Sequence, residues 1–413
     1  MRTNKAVTAA TILAAVSIVV LLYLNIRRAL PVTPSSASDK HIRDVFDELL
    51  NKQVDDVRGI GFAPDGSYVA TITGSGDYVS LFSANGNSKT AWTRRVPGAR
   101  DVSLTPGAKT VIVYTLRNDE ARDIFILRGS DGSLLTHVTT DGSIWALTMS
   151  DDGQFAAVIT SNKSLYVLTL GLAPKYKRWS LPGIGNSVSF SQYGQTVIAG
   201  TWDASGISVY SRFGELLWQY PVLPKQQQDL YTRLFEAYPA SQQHSLLALS
   251  YSNARHSDGT LYYWRNNDTA APDWEHDIGP NSSFPRAAIS ANGRYVVTTY
   301  VRTLTRSDDS VDEHRMLVLD TNGNELWDKG GLLFSPSLVS IAPDGHRVTV
   351  SDGIRNLYNI NSDGRISASW PSESSNPPMG LLRYVIPSID GKRLLVYTGD
   401  GTVHILALER AIP

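Results

Sequence analysis

Phe62 to Val69, FAPDGSYV, opens a series of similar phrases: LTPGAKTV, MSDDGQFA, FSQYGQTV, ISANGRYV, IAPDGHRV and SIDGKRLL follow along the chain. Each sets a glycine between two apolar runs, at Gly66, Gly107, Gly153, Gly194, Gly293, Gly345 and Gly391. A glycine after a small polar residue accepts the positive φ of a tight hairpin, so every copy predicts a turn joining two strands. The glycines are 41, 46, 41, 99, 52 and 46 residues apart. The gap of 99 holds two periods, with EAYPASQQHSLLAL as the degenerate copy, which brings the count to eight.

A second phrase follows each first one, as in VYSRFGELLW, LVLDTNGNELW and YNINSDGRISASW. It adds another strand, turn and strand, and often closes on a tryptophan: Trp92, Trp179, Trp218, Trp274, Trp327 or Trp370. Six of the nine tryptophans therefore share one register, which predicts a girdle of wide apolar rings packing one repeat against the next. Four strands every 40 to 50 residues is the pattern of a β-propeller blade. The sequence thus predicts an all-β fold, an eight-bladed β-propeller with seven blades as the alternative. Blades are expected near residues 57–98, 99–141, 142–181, 182–222, 223–279, 280–331, 332–371 and 372–410, with a segment before Val57 available as a last strand to close the ring.

These residues resemble two families. LDTNGNELW and SRFGELLW are similar to the tryptophan-docking phrase of quinoprotein-type (PQQ-like) propellers, and GFAPDGSYVAT and SIAPDGHRVTV are similar to the second-strand phrase of WD-repeat propellers. The resemblance spans roughly 55–409 and implies architecture; activity does not follow from it, because propellers host many unrelated functions. Quinone-dependent members of the first family carry a vicinal cysteine pair, and this chain has no cysteine. The resemblance therefore implies no cofactor here.

Ahead of the repeats, Ala6 to Ile26 run without a charged side chain. At about 1.5 Å per residue this stretch reaches about 30 Å and predicts one transmembrane helix, with Arg27 and Arg28 following it directly. That length exceeds the apolar core of a cleaved signal, which favours an uncleaved signal-anchor. Three regions follow: an anchor at 1–28, a linker and short helix at 29–54, and the propeller at 55–413. The helix is expected over 41–53, where Ile42, Phe46, Leu49 and Leu50 recur at helical spacing. Basic residues flank the apolar stretch almost evenly, so orientation rests on the usual layout of an amino-terminal export signal, with the propeller extracytoplasmic (periplasmic) and the cytoplasmic side as the alternative.

Charge and motif content narrow the function. Setting aside the four basic residues of the first 30 leaves 34 Lys and Arg against 39 Asp and Glu, which argues against nucleic acid as a partner. No nucleophile elbow, HExxH pair or phosphate loop is present. The eight histidines are scattered, and SDDSVDE (307–313) lacks the glycine and terminal acid of an EF-hand loop, so no metal site is expected. Connections longer than a minimal turn tend to mark the binding face of a repeat protein. They fall at 221–232, 253–259 and 301–315, with 117–123 and 371–383 on the same face. The candidate partner-binding residues are Lys225, Gln226, Arg255, His256, Arg306, Asp308, Asp309, Asp312 and Glu313, whose mixed charge suits a protein surface. The expected function is a membrane-anchored, non-catalytic scaffold that docks membrane or periplasmic proteins as a complex subunit. The alternative is an enzyme or ligand sensor using the central funnel.

Overall fold

The computed structural model describes residues 46–408, apart from 86–88, 118–119, 172–173, 203–205, 221–232, 253–258, 280, 307–308, 333, 335, 337, 343–344, 346, 362–363 and 372–379. The apolar stretch 6–26 and the linker lie outside the described residues. Among those described, no helix is long and apolar enough to cross a membrane.

All seven phrase glycines have positive φ, between 64° and 72°, and each turns the chain between two antiparallel strands. The strands begin with β1 (Asp47–Gln53) and then come in groups of four. The first groups are β2–β5 (Gly59–Phe62, Tyr68–Thr73, Tyr78–Ser83, Thr90–Arg95) and β6–β9 (Ala99–Leu104, Thr110–Arg117, Glu120–Arg128, Leu134–Thr139). Next are β10–β13 (Ile144–Met149, Phe155–Thr160, Ser164–Thr169, Lys175–Ser180) and β14–β17 (Ile184–Phe190, Thr196–Trp202, Ile207–Ser211, Leu216–Tyr220). They continue with β18–β21 (Arg233–Pro239, Leu246–Ser252, Gly259–Trp264, Trp274–Asp277) and β22–β25 (Ser282–Ile289, Tyr295–Arg306, Asp309–Asp320, Glu325–Leu332). The last are β26–β29 (Leu338–Ile341, Arg347–Ser351, Leu357–Asn361, Ile366–Trp370) and β30–β32 (Leu382–Pro387, Arg393–Thr398, Thr402–Ala407).

Each group is an antiparallel meander. Six form separate four-stranded sheets, and β14–β21 join into one eight-stranded sheet through the single pair Trp202↔Leu234. The middle strands are apolar on both faces: FAAVIT of β11 is buried at every position. Strands that alternate would leave one face to water; these are covered on both sides by neighbouring sheets, so their runs are continuous. The buried side chains divide accordingly. Ile72, Val79 and Leu81 pack with Val102, Leu104 and Val113 of the next meander. The same holds at each junction, and Ile60, Phe62 and Val69 of the first meander pack with Leu395, Val403 and Ile405 of the last, so the apolar contacts close on themselves. Burying one such side chain fully contributes about 1.5–3 kcal/mol, and this apolar wall is the main source of stability.

Two expectations are corrected. Residues 47–53 form a strand where a helix was expected: β1 pairs antiparallel with β32 from Asp47↔Ala407 to Gln53↔Thr402, and so supplies the fourth strand of the last sheet. The register shifts between Glu48 and Leu50, so Leu49, which completed the helical spacing, is the extra residue of a bulge and is exposed while Phe46 and Leu50 are buried. An open sheet edge with a full row of backbone partners outweighs a short helical pattern, because a helix this short is marginal alone.

The described residues of 301–315 and 117–123, stretches expected as loop insertions, are extensions of paired strands. β23 and β24 stay paired to Arg306↔Asp309, and β7 and β8 to Arg117↔Glu120. Thr, Val and Leu in RTLTR and DSVDE favour pleated pairing over an open loop.

Candidate functional site

In every meander the turn joining second and third strands lies at the same end as the crossover to the next meander. This shared end is the upper face. The β23–β24 hairpin rises from it. β22 stops pairing at Ser282↔Arg302 and β25 at His314↔Leu332, so beyond these points the two middle strands continue as a two-stranded arm.

The base of the arm is braced by charge. Arg315 places Nη1 2.7 Å from Oε2 of Glu313 and Nη2 2.5 Å from Oδ2 of Asp328, with all three side chains largely covered. The hydrogen bond from Arg315 to Asp328 leads the effects that hold its guanidinium firmly protonated, over an opposing cost of burial. Beside it Arg302 donates from Nη2 to the Ile278 carbonyl at 3.0 Å and lies over the Tyr300 ring at 5.6 Å. Higher up, Thr303 Oγ1 donates to Asp312 Oδ1 at 2.8 Å across the strands. On the same face as Asp312, opposite Arg315, burial pushes the His314 imidazole down in pKa, against the Asp312 charge, and Nδ1 has no hydrogen-bond partner.

Of the candidate partner-binding residues, Asp312 and Glu313 are thus neighbours on β24 whose side chains point to opposite faces of the arm. Arg306 and Asp309 are the paired strand ends next to the tip, and Lys225, Gln226, Arg255, His256 and Asp308 lie outside the described residues. Glu313 is not a free surface charge but part of the Arg315 brace.

No protein-family model matches this chain, and no curated protein is similar to it in sequence. Solved structures do match. The Dos1 propeller has a TM-score of 0.63 at 14% identity, covering 89% of this chain and 96% of that one. BamB from Moraxella catarrhalis gives 0.60 at 16%, covering 88% and 99%, and the C-terminal WD40 domain of Sif2 gives 0.56 at 12%, covering 90% and 99%. At such identities the likeness concerns the fold alone. The chain is a β-propeller.

The meanders are its blades, and the tryptophans join them. Trp92 Nε1 donates to the Gly129 carbonyl of the next blade at 2.7 Å, Trp218 to Asn267 at 2.6 Å and Trp274 to Thr321 at 3.0 Å. Trp179 lies so close to Gly214 that a Cβ there would sit 1.6 Å from its ring, at a backbone φ of 92°. Only glycine fits that turn. Trp327 and Trp370 pack into the next two junctions, Trp370 edge-on to His404 at 5.1 Å.

The first strands of the blades enclose the propeller axis, and two polar clusters sit on them. Glu236 of β18 accepts hydrogen bonds from Tyr238 and, at 2.7 Å, from Tyr251, with Arg286 of the next blade against Tyr251. Burial, then the Glu236 charge, raises both tyrosine pKa values. On β6, burial pushes the Asp101 carboxyl up, and Tyr114, 3.4 Å away, is pushed up to about 12 by burial and then by Asp101. In both clusters the acid is spent on tyrosine hydroxyls. Among the described residues no group of three His, Cys, Asp or Glu could hold a metal ion.

Sequence reading also missed Asp141, in the crossover to β10. It accepts from Thr160 Oγ1 at 3.0 Å, Ser164 Oγ at 2.6 Å and Arg178 Nη1 at 3.1 Å, tying the upper ends of three strands. An aspartate in DG offers no sign of such convergence, because its donors lie up to 37 residues away. On the lower face, a cleft of about 420 Å³ between the blades of β18–β21 and β22–β25 is lined by Gln243, Arg265, Asn292, Arg294 and Asp320 among others. Its lining is mainly polar.

Proposed function

We propose that this propeller is a non-catalytic docking subunit of a membrane-associated complex, tethered through residues 6–26 with the propeller outside the cytoplasm, and that its partners bind the upper face. The single observation that carries the reading is the β23–β24 arm. Among the described residues of this strand pair beyond its neighbours, Ser310 to Asp312 are exposed and none is fully buried, yet the pair is braced at its base by Arg315. Exposed, rigidly presented elements of this kind serve binding more than folding. The propeller neighbours support a protein-interaction role at the level of architecture. The reading takes the ring as eight blades, for which eight apolar junctions and the β1–β32 closure speak.

The test is recovery of stoichiometric partners from solubilised membranes with the full chain and with a variant whose arm, 303–312, is cut back to a tight turn. Loss of a partner on trimming supports the reading; identical recovery sinks it. Protease added outside intact cells or spheroplasts should cut the linker at 31–39, and full protection until lysis would reverse the orientation.

The Glu236 and Asp101 clusters favour a second reading, a ligand sensor working through the funnel. Glu236→Gln should leave partner recovery unchanged if docking is the function. A variant that loses the partner with its fold intact would move the site to the axis.

A further inference from the structure

Resting on the docking reading, we propose that the outer edge of the arm at Ser310–Asp312 is a strand-addition site for an extended partner segment carrying basic side chains. The argument begins with which backbone groups the arm leaves over. Thr303 donates its N–H away from β24, to the Asn281 carbonyl at 3.1 Å. In an antiparallel pair, a residue whose N–H points outward sits opposite a residue that also points outward. Thr303 pairs with Asp312, and two residues on, Thr305 pairs with Ser310. The N–H and C=O of Asp312 and Ser310 therefore point off the β24 side of the arm. His314, the next residue of the same parity, spends its outward groups on Leu332, the last pair that β25 makes. Above it, Ser310 and Asp312 face no strand among the described residues.

Unpaired edges invite another strand, and sheets usually blunt them with bulges, prolines or inward charges. Here the edge residues are Ser310, Val311 and Asp312, all exposed, with Val311 49% accessible and no proline in the arm. Four outward backbone groups, two donors and two acceptors, match one extended segment of three to four residues. Charge selects which one. Asp312 is exposed on this edge, on the face of the arm opposite Glu313, Asp328 and the Arg315 that pairs with them. A segment with a lysine or arginine beside Asp312 would meet that carboxylate, whereas an acidic one there would be repelled.

The probe is a blocked hexapeptide alternating lysine and valine, compared with its glutamate counterpart and with a lysine version methylated at alternate backbone nitrogens. The full chain is used in detergent. Residue-resolved amide exchange should slow at Ser310 and Asp312 when the lysine peptide binds, with neither control peptide doing so. Asp312→Pro removes one outward N–H that the arm itself does not use, and should weaken the peptide about tenfold, the value of one main-chain hydrogen bond at the strong end of its range. Exchange at Val311, whose N–H faces β23, reports whether the arm survives the substitution. If it does not, the methylated peptide on the unsubstituted protein decides alone. Absence of binding at millimolar peptide, binding without protection at Ser310 and Asp312, or equal binding of the methylated peptide would each overturn the inference. Such a failure alongside partner loss on trimming the arm would remove the edge and leave the docking reading standing. Protection of both amides with unchanged partner recovery would do the opposite.

Discussion

The blade of β10–β13 and the blade of β22–β25 have the same four-strand order, yet their middle strands are six residues long in one and twelve in the other. Their cores are alike. Ala157, Ile159 and Val167 fill the junction of the first with the following blade, and Val297, Met316 and Val318 fill the matching junction of the second. They differ at the upper face. The short blade ends there in a turn gathered by Asp141, and the long one in an arm braced by Arg315 between Glu313 and Asp328. A residue inside a junction is held by neighbours on both sides and tolerates little change; a hairpin above the neighbours' reach is held only at its base. The propeller can therefore lengthen one blade without disturbing the next.

The largest expected effect tests the likeness of the two cores. Trp179→Ala and Trp327→Ala remove the docking ring of the short and the long blade, and each should cost about 2–4 kcal/mol in urea unfolding, since both rings are partly covered. A difference above about 2 kcal/mol between them would show that the blades do not share one packing rule.

Arg315→Met tests the brace. It leaves Glu313 and Asp328 facing one another without a cation, and should destabilise by about 2 kcal/mol, with faster amide exchange in the arm and unchanged exchange in β10–β13. Equal exchange in the arm would mean that strand pairing alone keeps it upright.

A smaller effect distinguishes the two ends of the short blade. Burial, then the charge of Asp152, pushes the Asp151 pKa up to about 7 at the lower turn. The folded state therefore holds this proton more tightly than the unfolded chain, so the stability it contributes is complete below about pH 4 and is lost as pH rises toward 7. Asp151→Asn should be neutral at pH 4 and stabilising by about 1–2 kcal/mol at pH 8. Asp141 has the opposite sign: burial alone would raise its pKa, but hydrogen bonds led by Ser164 and Thr160 outweigh that and lower it. Its contribution is present above the ordinary aspartate range and fades as pH falls through the lowered value. Asp141→Asn should thus lose stability at pH 7 and little at pH 2. If both variants follow the same pH profile, the assignment of the two carboxylates is wrong.

Trimming 303–312 should have the smallest effect on stability, within about 0.5 kcal/mol by urea unfolding, because the removed residues lie beyond the blade's own pairing. A loss comparable with that of Arg315→Met would show that the arm belongs to the core and that the two blades differ in more than length.

Much of the architecture is legible in the residues themselves. The glycine phrases mark the turns between first and second strands in all blades but that of β18–β21, and the shared register of Trp92, Trp179, Trp218, Trp274, Trp327 and Trp370 marks the seams between blades. Both signals are local: a turn needs its φ within four residues, and a docking ring needs a strand end to stand on. Candidate binding residues were less legible. Asp312 and Glu313 draw notice as part of a run of acids in a long connection, but nothing near Glu313 in sequence points to Asp328 as the second partner of the arginine that Glu313 binds.

What the sequence determined by itself was the repeat, the strand-rich class and the surfaces that join one blade to the next, because these depend on spacing within a few dozen residues. Whether residues 47–53 are helix or strand was decided only by the folded chain. Their apolar spacing suits either, and the open edge of β32 that settles the matter stands 349 residues from Gln53 at Thr402. The same holds for the arm. RTLTRSDDSVDEH is an adequate loop until β23 and β24, already held in register by their blade, extend their ladder to Arg306↔Asp309, where each further pair adds backbone hydrogen bonds with no new loop to close.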